Sequence, residues 1–161
     1  MKTLLFALAV VACGPNAAEL KTAKTATYKM TAHDMLVLAE DVAQETYKLG
    51  SVNERENSFI TQPRFYSPEG DLESPGAGGF VQTRNHSVEV GFSVQVGEFG
   101  GGDVGVTVTP KTFQFISGSP KPRELAPDDP YLPPFVHGRA DDLALAIYNR
   151  AKPYAYSSPT R

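Results

Sequence analysis

The chain has 161 residues and a formal net charge of −3, a length that suits one domain with flexible ends. Its hydrophobic fraction of 41 % is too low for a polytopic membrane protein and too high for a wholly disordered chain. The chain is mildly acidic and contains no run of Lys or Arg. This charge pattern argues against nucleic acid as a partner and against electrostatic docking on anionic lipid.

Residues 1–12 are predicted to form a secretory signal peptide. Lys2 supplies the positive charge at the start, and an uninterrupted apolar run extends from Thr3 to Ala12. That run is about half the length that a membrane-spanning helix needs, so it is predicted to direct export and not to anchor the chain.

The sequence at the end of this run, Val10-Val11-Ala12-Cys13, resembles the lipobox of bacterial lipoproteins. The resemblance implies cleavage after Ala12 and lipidation of the Cys13 thiol, which gives an acyl anchor in a membrane. An ordinary secretory site is disfavoured, because a cut after Gly14 would be followed by Pro15. Gly14, and not Asp, follows the cysteine. In enterobacteria-like sorting this implies the outer membrane, with the protein facing the periplasm.

The polar, Ala- and Thr-rich residues 13–25 predict a lipidated tether. A single α+β domain is expected over 26–156, and residues 157–161 form a tail. The domain is predicted to begin with a short strand at 26–31. A helix follows over about 32–47, with a stripe of apolar residues spaced three and four apart. Thr31 and Asp34 predict a capping box at its start. The stripe consists of Met35, Leu38, Ala39, Val42, Ala43 and Tyr47.

Alternating residues predict a set of antiparallel strands after this helix. A hairpin is expected at about 49–62, and a mobile loop at 67–79. The clearest alternation runs from Val88 to Val96 and predicts a long strand with one buried face. Its partner strand carries Val104, Val106 and Val108 on even positions but Phe113 and Phe115 on odd ones. A β-bulge near Pro110 would bring both sets to the same face.

A Pro-rich loop is expected at about 117–135, and a second helix at about 138–152. The predicted order is β-α-β-β-β-β-α. It indicates an α+β fold in which an antiparallel sheet of about four to five strands is packed by two helices. This order resembles the helix-grip type of small periplasmic domain. Residues 28–61 resemble the repeated domain in the C-subunit lipoprotein of the outer-membrane β-barrel assembly machinery. The resemblance implies a similar architecture and an assembly role in the envelope. It transfers no functional residue, because that family has no catalytic motif.

No catalytic, cofactor or metal site is predicted. The three histidines lie on different elements, and no pair has metal-ligand spacing. Paired acids at Glu54/Glu56 and Asp128/Asp129 lack calcium-loop spacing and suit solvated turns. The glycine-rich segment 97–105 is followed by strand-like alternation, which excludes a phosphate-binding loop. The histidines are His33, His86 and His137.

Aromatic residues in or beside loops provide the candidate interface, because aromatics are enriched at interfaces. The candidates are Phe65, Tyr66, Phe80, Tyr131 and Phe135. The leading hypothesis is a non-enzymatic, membrane-anchored adaptor or assembly factor that docks on an envelope protein. A small-ligand binder, with a cleft between the long hairpin and a helix, is the alternative. A hydrolase whose site is invisible in sequence is a third. A flat apolar patch would favour the adaptor, and an enclosed pocket the ligand binder.

Overall fold

The computed structural model describes residues 16–75, 81, 83–99 and 102–156. The predicted signal peptide and Cys13 lie outside the described residues, as do Phe80 and the tail at 157–161. The helices are α1 (Ala17–Thr25), α2 (Ala32–Gln44) and α3 (Pro134–Ala151), which continues into a short 3-10 helix at Lys152–Tyr154. The strands are β1 (Leu49–Asn53), β2 (Ser58–Thr61), β3 (Arg64–Tyr66), β4 (Val88–Phe99), β5 (Asp103–Gln114) and β6 (Arg123–Leu125).

All six strands belong to one antiparallel sheet, in the order β1-β2-β4-β5-β6. β3 pairs with the first residues of β4, and β2 pairs with residues further along the same edge. The predicted α+β fold, an antiparallel sheet packed by helices, is therefore confirmed.

The β4–β5 hairpin is the longest element of the sheet and contains no bulge. Its register runs without a shift from Val88 opposite Gln114 to Phe99 opposite Asp103. The predicted bulge near Pro110 is therefore wrong. Pro110 lies opposite Phe92, whose backbone N–H donates to the Thr61 hydroxyl at 2.9 Å and so points away from β5. At such a non-hydrogen-bonded pair the ladder needs no N–H from the proline, and the strand continues straight.

The core lies between one face of this hairpin and the helices. Even-numbered residues of β4 are buried from Val88 to Val96, and α2 and α3 pack against β4 and β5 respectively. The ring of Tyr47, just beyond α2, meets Phe92 edge-on with 5.1 Å between centroids. We call the sheet face that packs against the helices the inner face, and the opposite one the outer face. The largest fully buried side chains of the core include Met35, Leu36, Phe92, Val94 and Ile147.

The start of the domain differs from the expectation. Residues 17–25, assigned to the tether, form α1, whose Ala23 is buried in the core and whose Lys24 pairs with Asp141 of α3 at 2.6 Å. The strand expected at 26–31 is reduced to isolated bridges, because Tyr28 alone pairs with Val104 and Ala155.

The two predicted helices form with shifted ends. Thr31 caps α2, since its hydroxyl accepts from the Asp34 N–H at 3.1 Å and donates to the Asp34 carboxylate at 2.7 Å. This confirms the predicted capping pair. α3 begins at Pro134, four residues before the predicted start. Proline suits the first position of a helix, because its φ is preset and its missing N–H has no partner there.

Candidate interaction surface

The four predicted interface residues that the structure describes do not form one cluster. Phe65 lies on the sheet face opposite the helices, whereas Tyr66, the next residue, points into the core and is 1 % exposed. Tyr131 is 66 % exposed, with the Arg123 guanidinium 5.3 Å from its ring centroid. Phe135 packs against the edge of the core. The structure therefore leaves Phe65 and Tyr131 at separate surfaces.

Tyr66 and Phe135 have a structural role, which explains why neither forms a surface patch. Their ring centroids are 5.6 Å apart, and the Arg139 guanidinium lies 4.5 Å from the centroid of Tyr66. Arg139 also donates to the carbonyl of Gly70 at 3.1 Å. This arrangement fixes the start of the loop after β3 against helix α3.

The outer face of the sheet carries a row of alternating aromatic and acidic residues. Phe65 of β3 lies opposite Glu89 of β4, Glu89 lies opposite Phe113 of β5, and Phe113 lies opposite Glu124 of β6. Phe115 adds a third ring, with its centroid 5.8 Å from that of Phe65. We call Phe65, Glu89, Phe113 and Phe115 the Phe–Glu patch.

The Phe–Glu patch exists because the hairpin has no bulge. With an unbroken register, odd residues of β5 stay on the same face as odd residues of β4. Phe113 is therefore 37 % exposed and does not enter the core. The prediction that Phe113 and Phe115 join the buried side is wrong for this reason. The parity that they share with Glu89 was the sequence signal that could have located the patch.

Glu89 is electrostatically unusual for a residue on an open sheet face. It is half-buried, and burial raises the pKa of its carboxyl group above the ordinary value. Among the described residues no cation lies within 4.0 Å of its carboxylate. Lys111, which lies opposite Gly91 on the same face, forms no ion pair with it. The patch thus presents a partly desolvated carboxylate beside aromatic rings.

A second surface feature lies between the end of the hairpin and the start of α2. It is an open groove of about 740 Å³. A smaller groove of about 360 Å³ continues from it along α2 and shares Met30, Asp34 and Tyr154. The larger groove is lined by Lys29, Met30, Thr31, Ala32, Asp34, Glu98, Gly102, Val104 and Tyr154.

Metal-binding clusters and membrane-spanning helices are both absent from residues 16–75, 81, 83–99 and 102–156. Over those residues, no group of three or more His, Cys, Asp and Glu side chains is placed to hold a metal ion. None of the helices there combines the length and apolarity needed to cross a bilayer. His33 and His137 lie in the first turns of α2 and α3, and His86 lies in a turn before β4 with φ of +67°.

No protein-family model matches the chain, and comparison with curated protein sequences finds no significant match.

Proposed function

We propose that this protein is a membrane-anchored periplasmic lipoprotein that acts as a non-enzymatic adaptor in the bacterial cell envelope. It docks on another envelope protein through the outer face of its sheet. The observation that carries the proposal is the Phe–Glu patch, in which three aromatic residues lie on the face that the helices leave uncovered. Aromatic residues clustered on an exposed surface are typical of protein interfaces.

The proposed location rests on the sequence. The lipobox-like residues before Cys13 support lipidation at that thiol, and Gly14 supports sorting to the outer membrane, facing the periplasm. The resemblance of residues 28–61 to a domain of the β-barrel assembly machinery supports a role in assembling envelope complexes. Together these features favour a membrane-associated protein as the partner.

The test is recovery of a partner from membranes. Tagged full-length protein is purified from crosslinked native membranes, beside Cys13→Ala, Phe113→Thr and the control Val52→Thr. Val52 is also an exposed apolar strand residue (45 % exposed), but it lies on β1, away from the patch. Threonine preserves β propensity at both strand positions.

One envelope protein should be recovered in stoichiometric amount with the wild type and with Val52→Thr. Cys13→Ala should weaken its recovery, because the chain then lacks its anchor, and Phe113→Thr should abolish it. The proposal fails if the wild type and every variant are purified without a partner, or if Phe113→Thr recovers the same protein in the same amount.

The groove supports a second candidate function, the binding of a small ligand. Its volume of about 740 Å³ is within the range of ligand sites, and it lies between the hairpin and a helix. The groove is open, whereas ligand sites are commonly enclosed. Ligand binding is therefore less favoured than docking through the patch. Thermal-shift screening of the full-length chain against small-molecule sets, with Met30→Asp as the matched variant, tests it. A ligand that raises the wild-type melting temperature but not that of Met30→Asp would establish this function.

A further inference from the structure

The charge and the aromatic rings of the Phe–Glu patch indicate which kind of partner side chain it binds. Glu89 lies between Phe65 and Phe113 in the row, and Glu124 lies beyond Phe113. A carboxylate that is partly removed from water loses hydration, and it recovers that loss only by pairing with a donor or a cation. Nothing among the described residues supplies such a cation within 4.0 Å.

The rings beside Glu89 favour the same kind of occupant. The face of an aromatic ring attracts a cation, and this attraction adds to that of a carboxylate at the same place. The rings also offer apolar surface to the methylene stem of a long basic side chain. A lysine or arginine side chain is complementary to all of these features together.

We infer that Glu89, Phe65, Phe113 and Phe115 bind a lysine or arginine side chain, flanked by apolar residues, that a protein partner presents to the outer face. The inference rests on the proposed adaptor function and specifies the chemistry of its partner. A membrane surface is a poorer occupant, because Glu89 and Glu124 on this row repel anionic lipid headgroups.

The test uses site-specific photo-crosslinking in cells that make the full-length chain. A photoreactive phenylalanine analogue replaces Ile60, which is 41 % exposed on the same outer face and leaves all four patch residues native. Glu89→Gln and Glu89→Lys are introduced into this background. The matched control is Glu124→Gln, an exposed acid on the same row. Circular dichroism confirms that each variant folds.

The crosslinked segment of the partner should contain a lysine or arginine. Glu89→Gln should lower the affinity of the purified pair by about tenfold or more, because hydrogen bonds to charged groups have about this effect. Glu89→Lys should abolish the crosslink through charge repulsion, whereas Glu124→Gln should change affinity by less than about twofold, as is common for exposed charges.

The possible failures of the two proposals are distinguishable. If Phe113→Thr abolishes the crosslink but Glu89→Gln and Glu89→Lys do not weaken it, the inference is wrong and docking through this face stands. Capture of a second copy of this chain, or of lipid alone, also overturns the inference. If no protein is captured and Phe113→Thr changes nothing, the proposed function itself is wrong.

Discussion

Truncating Phe92 and Phe113 to alanine removes the same ring from opposite faces of the β4–β5 hairpin. Phe92 is 0 % exposed and packs against Tyr47, whereas Phe113 is 37 % exposed on the outer face. The two variants therefore measure which face is buried. They test the register on which the Phe–Glu patch depends.

The expected magnitudes differ severalfold. Phe92→Ala leaves a cavity in the core and should lower the free energy of unfolding by about 3–5 kcal/mol. Phe113→Ala leaves no cavity and loses cross-strand packing and strand propensity, which together contribute about 0.5–1.5 kcal/mol. In a domain of this size, about 1 kcal/mol corresponds to a shift of about 3–5 °C in Tm. Phe92→Ala should thus lower Tm by more than about 10 °C, and Phe113→Ala by only a few degrees.

The assay is urea denaturation followed by circular dichroism. It uses the full-length chain with Cys13→Ala, which keeps the protein free of lipid. Equal m-values across the variants would show that the changes lie in stability. A loss at Phe113 as large as that at Phe92 would refute the reasoning, because it would place Phe113 in the core and imply a register shift within β5.

Four further variants test the stability of the fold. Since burial raises the pKa of Glu89 above its ordinary value, the folded state holds that proton more tightly than the unfolded state does. Its carboxyl group therefore lowers stability as pH rises through the folded-state pKa, and Glu89→Gln should melt higher than wild type at about pH 7, with the difference vanishing at low pH. Gly70→Ala should cost about 1–3 kcal/mol in chemical denaturation, because φ is +97° and a Cβ would lie 2.9 Å from the ring of Phe135. Gly138→Ala, in open space within α3, should instead stabilise by about 0.5–1 kcal/mol. Thr31→Ala should lower the free energy of unfolding by about 1 kcal/mol through loss of the α2 cap, and unchanged stability would contradict the capping bond.

Local patterns predicted the elements whose residues lie close together in sequence. The cap formed by Thr31 and Asp34 spans one turn, and the alternation of Val88 to Val96 reports directly on one buried face. The class of fold follows from such patterns. The predicted bulge near Pro110 is wrong because Phe113, beyond it in β5, lies on the outer face. The register of a long hairpin is fixed by all of its pairs together, and those pairs placed Phe113 outside.

Elements that depend on distant contacts could not be predicted in the same way. Tyr28 pairs with Val104 and Ala155, which are far from it in sequence. The strand-like pattern at 26–31 therefore gives only isolated bridges. Helix α1 is mostly polar and buries only Ala23. Its local signals were Asn16, whose side chain accepts from the Ala18 N–H at 3.0 Å, and the charges Glu19 in the first turn and Lys24 in the last. The contacts of α1 with α3 are tertiary and are not visible in its sequence.

Under the acyl anchor proposed for Cys13, helix α1 would also limit how far the domain can move from a bilayer. It begins at Ala17, buries Ala23 in the core and packs against α3, so it moves with the domain. Four residues of fully extended chain span at most about 14 Å. With the acyl anchor proposed for Cys13, the start of α1 therefore stays within about 14 Å of the lipid headgroups. Such a short tether would concentrate the domain at the bilayer surface. There, encounters with membrane-embedded proteins would become effectively intramolecular. A partner deeper in the periplasm would have to approach the membrane to be bound.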